Sequence, residues 1–165
     1  MSLKAGAGII ADADRLERLC AETMDGAAGR YDRMRRMTDL LWGELSAHGL
    51  SWVGFYIANP DASESERLIL GPRRDRPACS PIGLHGACGT AFLTGRPLVV
   101  EDVASLGAAY IACDPRDRSE LVLPCFGDEA VAWGVLDLDS HEVGRFSNSD
   151  AECLADLLRA AGLSS

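Results

Sequence analysis

Apolar residues in the first third of the chain recur at intervals of three and four. From 12 to 23, Leu16, Leu19, Cys20 and Thr23 share this spacing; from 30 to 47, Met34, Met37, Leu41 and Leu45 do. Each set lines one side of a 3.6-residue period, which predicts two amphipathic helices. The run "DGAAG" at 25–29 separates them, and His48-Gly49 ends the second. Glycine stops a helix readily because it enters the left-handed conformation at little cost.

At 51 the period drops to two. "SWVGFYI" (51–57) places Trp52, Gly54 and Tyr56 on one side of a strand and Val53, Phe55 and Ile57 on the other. After the polar turn "NPDASESE", "RLILG" (67–71) reads as its hairpin partner. The Pro-, Gly- and Arg-rich stretch "PRRDRPACSPIGLHG" interrupts the pattern, with a short strand expected around 78–79. A helix is expected from about Gly86 or Cys88 to Leu93, closed by Gly95, then a strand over 97–103 and a long loop over 104–118. Loops of that length in a compact domain are more often functional than idle.

"ELVLPCF" (120–126) and "AVAWGVLDLDS" (130–140), joined at 127–129, read as an antiparallel pair. Ser147 with Asp150, or Ser149 with Glu152, would cap a last helix whose apolar stripe is Leu154, Leu157, Leu158 and Ala161. The expected class is α+β: a central, mostly antiparallel sheet with the N- and C-terminal helices packed together on one face. Residues 1–29 read as an extension with a short helix, and 30–165 as a single domain.

Composition narrows the function classes. The 165 residues fit one domain, and 47% apolar with 25% charged residues is ordinary globular usage. Lys and Arg number 16 against 25 Asp and Glu, a formal charge of -9 with no basic stripe, so nucleic acid is not an expected partner. No apolar run approaches the ~20 residues that span a bilayer. "MSLKAGAGII" is a poor export signal. A cytoplasmic protein with no membrane partner is expected.

Six cysteines then change the picture: 20, 79, 88, 113, 125 and 153. Cys20 and Cys153 fall on or beside helical stripes, and Cys125 on the strand side of Leu121 and Leu123; these read as small buried hydrophobes. Cys79, Cys88 and Cys113 instead sit in "PACSP", "GACGT" and "IACDP". Structural zinc sites favour C-x₂₋₄-C pairs, whereas these gaps are 9 and 25 residues, and a set completed by His85 has no signature. No metal is expected. Redox chemistry asks for a partly ionised thiol, which a helix N-terminus would favour at Cys88, and Arg116 and Arg118 at Cys113, though Asp114 is adjacent. It also asks for a second thiol that can condense with a sulfenic acid. Burial of all three as space-fillers is the alternative.

Carboxylates accompany the thiols. In "WGVLDLDS", Trp133, Val135, Asp137 and Asp139 share a strand side by period two, which sets the two carboxylates about 7 Å apart. Unless they face solvent, their repulsion calls for a cation such as an ammonium group, or for hydrogen-bond donors. Glu120 adds a third carboxylate at a strand start. Trp52 and Tyr56 either pack in the core or wall a small apolar pocket.

"SWVGFY", "LILGP", "PACSPI", "GACGTA", "YIACD", "SELVLP" and "GVLDLDS" followed by "GRFSNSD" occur in the order found in one family. From about 30 to 158 the chain resembles the free methionine-(R)-sulfoxide reductases, which are built on a GAF domain. The resemblance implies reduction of the free amino acid sulfoxide with thioredoxin as reductant, a homodimer, and no cofactor. It implies Cys113 as the attacking thiolate, Cys79 as the resolving cysteine and Cys88 as a third redox cysteine. It implies that Glu120, Asp137 and Asp139 hold the sulfoxide oxygen and the amino group, with Trp52 and Tyr56 around the S-methyl group. The chain departs from the family in the Cys79–Cys88 loop, which is one residue shorter and carries Pro81 and His85; His85 reads as a loop residue without a role. The runner-up is a GAF module that senses a small ligand or redox state without turnover.

Overall fold

The computed structural model describes residues 7–110 and 113–165. Its elements follow the expected order: α1 (Ala13–Met24), α2 (Arg30–Leu45), β1 (Trp52–Ala58), β2 (Leu68–Arg74), α3 (Ala87–Thr94), β3 (Leu98–Val100), β4 (Ser119–Phe126), β5 (Ala132–Ser140) and α4 (Asn148–Ala160). The first six residues of the 1–29 extension, and 111 and 112 of the long loop, lie outside the described residues.

The five strands form one antiparallel sheet in the order β2-β1-β5-β4-β3. Period-two alternation gives each strand two apolar sides, and each side feeds a different core. Val53, Phe55, Leu121, Leu123, Cys125, Leu136 and Leu138 meet the stripes of α1, α2 and α4. Trp52, Tyr56, Val122 and Val135 meet α3 and the loops on the opposite side. The terminal helices therefore close one face completely, and the other face is left to form a cup.

Local signals explain the element ends. Gly49 and Gly95 take positive φ (106° and 65°) where α2 with its trailing 3₁₀ turn, and α3, stop. Ser147 and Asp150 form a reciprocal capping box at the start of α4. Asp150 also accepts from the backbone N–H of Ile9 (3.1 Å) and Ile10 (2.9 Å), which ties the start of the described chain to the last helix.

Three expectations are corrected. No strand forms at 78–79; the lone bridge in that region pairs Leu68 with Ile82. The strand expected over 97–103 is limited to Leu98–Val100, and Val103–Ala109 form two short 3₁₀ turns broken at Gly107, the first opened by an Asp102 side chain that accepts from the Ala104 N–H. Trp133 does not share the side of Val135, Asp137 and Asp139. The β4–β5 register slips between Cys125 and Phe126, where Phe126 pairs with Ala132 rather than Trp133. The extra residue reverses the alternation. Trp133 therefore stacks on Phe55 at 6.2 Å, beneath Arg30 at 4.6 Å, and donates from Nε1 to the Leu163 carbonyl.

Candidate active site

The cup on the open face has a volume of about 450 Å³ counting its mouth. Trp52 and Tyr56 from β1, with ring centroids 6.2 Å apart, form one wall. Glu120 from β4 and Asp137 and Asp139 from β5 supply the acidic part, joined by Asp117. Ile82, His85, Ala87 and Cys88 close it from the α3 side, and Tyr110 and Cys113 from the long loop. All eight residues predicted for the site thus lie in the cup or, for Cys79, beside it.

Sheet register explains the acids. Glu120 is opposite Asp139 across the β4–β5 pair, and Asp137 is opposite Val122 one pleat further along. All three carboxyls project from the side that carries Tyr56 and Val135. Glu120 and Asp137 are each 5% exposed. Glu120 Oε2 and Asp137 Oδ1 have no hydrogen-bond partner among the described residues. Burial, then the neighbouring carboxylates, push both acids well above their usual range. The two carboxyls face each other, so ionising one makes ionising the other harder. Asp139 is half-buried and is also held high, by burial and then by Asp137, with Arg76 opposing. Asp117 is pushed up to about 6 by burial and by Asp114. Among the lining residues the only basic side chain is His85.

The cysteines sort into two depths. Cys88 is buried at the start of α3, with its thiol, Glu120 and Asp137 offering atoms within 4.8 Å of one another. The helix N-terminus was expected to favour its thiolate. Burial and the adjacent acids outweigh that half-charge and push the thiol far up instead. Cys79 and Cys113 are exposed reduced thiols. Although the Cys113 residue is exposed, its thiol lines the cup and faces Cys79, and the partial desolvation there, then the neighbouring Cys79, pushes it up to about 12. Arg116 and Arg118, expected to help ionise Cys113, are committed elsewhere: Arg116 to Asp114 (3.0 and 2.9 Å) and Arg118 to Asp102 (3.9 Å). The Tyr56 hydroxyl donates to the Cys79 carbonyl (2.9 Å), which anchors the loop carrying Cys79 to the sheet. Past Cys113 the cup opens into an outer groove that also touches Arg76, Asp114 and Arg116.

Sequence reading missed Tyr110 and Asp117, and took His85 for an idle loop residue although it lines the cup. Only the length of the 104–118 loop pointed toward the first two. His85 had no periodic element to place it.

The GAF domain family model matches residues 33–164. The free methionine-R-sulfoxide reductase of Escherichia coli K12 is 38% identical over 137 residues, 82% of this chain and 77% of that protein. Among solved structures, fRMsr of Staphylococcus aureus in its reduced form superposes with a TM-score of 0.81 at 33% identity, covering 91% of this chain and 92% of the other. The free methionine-R-sulfoxide reductase of Neisseria meningitidis, solved in complex with its substrate, gives 0.80 at 28% identity, with 98% and 89% covered.

Proposed function

The chain belongs to the GAF-domain family of free methionine-R-sulfoxide reductases, and from that footing we propose that it reduces free methionine-(R)-sulfoxide with Cys113 as the attacking thiol. Cys79 resolves the product and Cys88 is a third redox cysteine. The observation that carries this reading is the meeting of two reduced thiols at the mouth of a cup whose acidic floor keeps two carboxyl oxygens unpartnered. Family membership makes the protein an oxidoreductase; the residue roles follow from the site's chemistry.

Each wall has a task. The substrate ammonium sits on the acids, where it replaces their mutual repulsion with attraction. A methionine sulfoxide inside a polypeptide has no such ammonium, which is a physical reason for preferring the free amino acid. Trp52 and Tyr56 take the S-methyl group. The proton held between Glu120 and Asp137 hydrogen-bonds the sulfoxide oxygen, and makes the sulfur electrophilic.

Cys113 attacks the sulfoxide sulfur, the S–O bond breaks and the oxygen passes to the cysteine. The substrate sulfur gains two electrons and the cysteine sulfur loses two, leaving methionine and a sulfenic acid. No net proton is needed, because the one leaving the thiol replaces the one the oxygen takes. A thiol held at about 12 is a reluctant thiolate; the arriving ammonium adds the positive charge that favours ionisation. Cys79 then condenses with the sulfenic acid, forming the disulfide and releasing water, and a dithiol reductant restores both thiols by exchange.

Thioredoxin as that reductant, a homodimer, a cytoplasmic location and a catalytic domain over 30–165 with 1–29 as its extension complete the proposal. Incubation with the resolved R and S sulfoxides of free methionine tests it. The R isomer should yield one methionine per two thiols lost, and sustained turnover once thioredoxin is supplied. Methionine from neither isomer would refute the enzymatic reading and leave a ligand-sensing module.

A further inference from the structure

We propose that Arg76 is a positioning residue that holds the Cys79 segment against the Cys113 segment, so that the disulfide forms promptly after methionine leaves. The proposal rests on the thiol assignment above. Cys79 and Cys113 both lie outside helix and strand, so no regular hydrogen-bond ladder fixes their separation.

Arg76 precedes Cys79 by three residues, and Asp114 directly follows Cys113. The half-buried Arg76 guanidinium bonds the Asp114 carboxylate at 3.1 Å and donates to the Ser51 carbonyl at 3.2 Å. Its own carbonyl accepts from Trp52 Nε1 at 3.0 Å. One residue thus joins both cysteine segments to the start of β1 and to a wall of the cup. Asp114 is braced further by Arg116 (2.9 Å) and His141 (3.4 Å), but neither reaches the Cys79 segment. Among the described residues, Arg76–Asp114 is the one ion pair that spans the two segments. The neighbouring Arg74 turns instead to Asp39 on α2 (2.7 Å).

A partly exposed ion pair adds little to stability; its effect here is on geometry. Condensation forms the S–S bond between Cys79 and Cys113, breaks the S–O bond of the sulfenic acid and expels water. Its rate follows the effective concentration of one sulfur at the other, which a tether between the two loops raises. The preceding oxygen transfer needs only Cys113 and the cup.

Rapid-quench single turnovers with equimolar free methionine-(R)-sulfoxide separate the two steps. Methionine, free thiols and sulfenic acid trapped by a cyclic 1,3-diketone are read on the same samples. Arg76→Ala should slow disulfide formation about tenfold more than it slows methionine release, and accumulate trapped sulfenic acid. Arg76→Lys, which keeps the charge, should recover most of the loss. Asp114→Asn removes the same pair from the other side, and serves if Arg76→Ala does not fold. Disulfide formation at the parent rate in a folded variant overturns the proposal, as does equal slowing of both steps, which marks a merely structural role. If the parent protein releases methionine but forms no Cys79–Cys113 disulfide, the thiol assignment fails first and this proposal with it.

Discussion

In the proposed chemistry two cysteines have separate tasks, and substitution of each should fail in its own way. Cys113→Ser removes the only exposed thiol on the cup's lining, so methionine release should fall to background in a coupled assay. Cys79→Ser leaves the attack intact; about one methionine per chain should appear, followed by a stall with sulfenic acid detectable by mass spectrometry, unless Cys88 substitutes. Asp137 shows the opposite relation between stability and activity. Its carboxyl is buried against Glu120 and held far above its usual range. Asp137→Asn keeps the shape, offers Glu120 a donor and removes a group that resists ionisation. Its melting temperature at pH 7.5 should rise by roughly 2–4 °C. Activity should fall at least tenfold, since the ammonium loses a partner. A variant that melts lower and keeps full activity would place that acid outside the chemistry.

At the scale of elements, α4 and α3 do more than complete the fold. Asp150 accepts from its own cap residue and from the N–H groups of Ile9 and Ile10. Asp150→Ala therefore removes a cap and leaves buried donors unpaired, and should cost roughly 2–4 kcal/mol in chemical denaturation. That effect belongs to the closed face and should leave KM unchanged at temperatures where the variant is folded. The opposite face is sensitive at α3: a Cβ on Gly89 would collide with the Leu84 backbone. Gly89→Ala should push the loop carrying His85 away from the cup, which raises KM more than it lowers the melting temperature. These elements were legible because their signals are local: the Ser147–Asp150 spacing, the 3.6-residue stripes of α1, α2 and α4, and the glycines after α2 and α3. The strand at 78–79 and the side taken by Trp133 were misread because pairing partners and a bulge, not local pattern, decide them.

For the whole molecule, the clustered acids set the pH dependence. Acids whose pKa is raised on folding stabilise the protein fully below their ordinary range, near pH 4, and lose that contribution as pH rises through the folded value. For Asp117 the loss runs from about 4 to about 6; for Glu120, Asp137 and Asp139 it extends higher. The melting temperature should accordingly be higher at pH 5 than at pH 8. Free methionine, by seating an ammonium among the acids, should narrow that gap in calorimetry. A gap that is absent, or that methionine leaves unchanged, would argue that the acids face solvent. By itself, the chain's pattern determined the α+β class, the order of elements, and which cysteines and carboxylates stand out from the apolar periodicity, because hydrophobic spacing and capping act within a few residues. Only tertiary structure decided that Cys79 and Cys113 face each other, that Cys88 is sunk among acids rather than activated by its helix, and that Tyr110, Asp117 and His85 share the cup. Those outcomes depend on loops meeting across the sheet and on the desolvation that closing the cup imposes, and neither leaves a periodic trace in the chain.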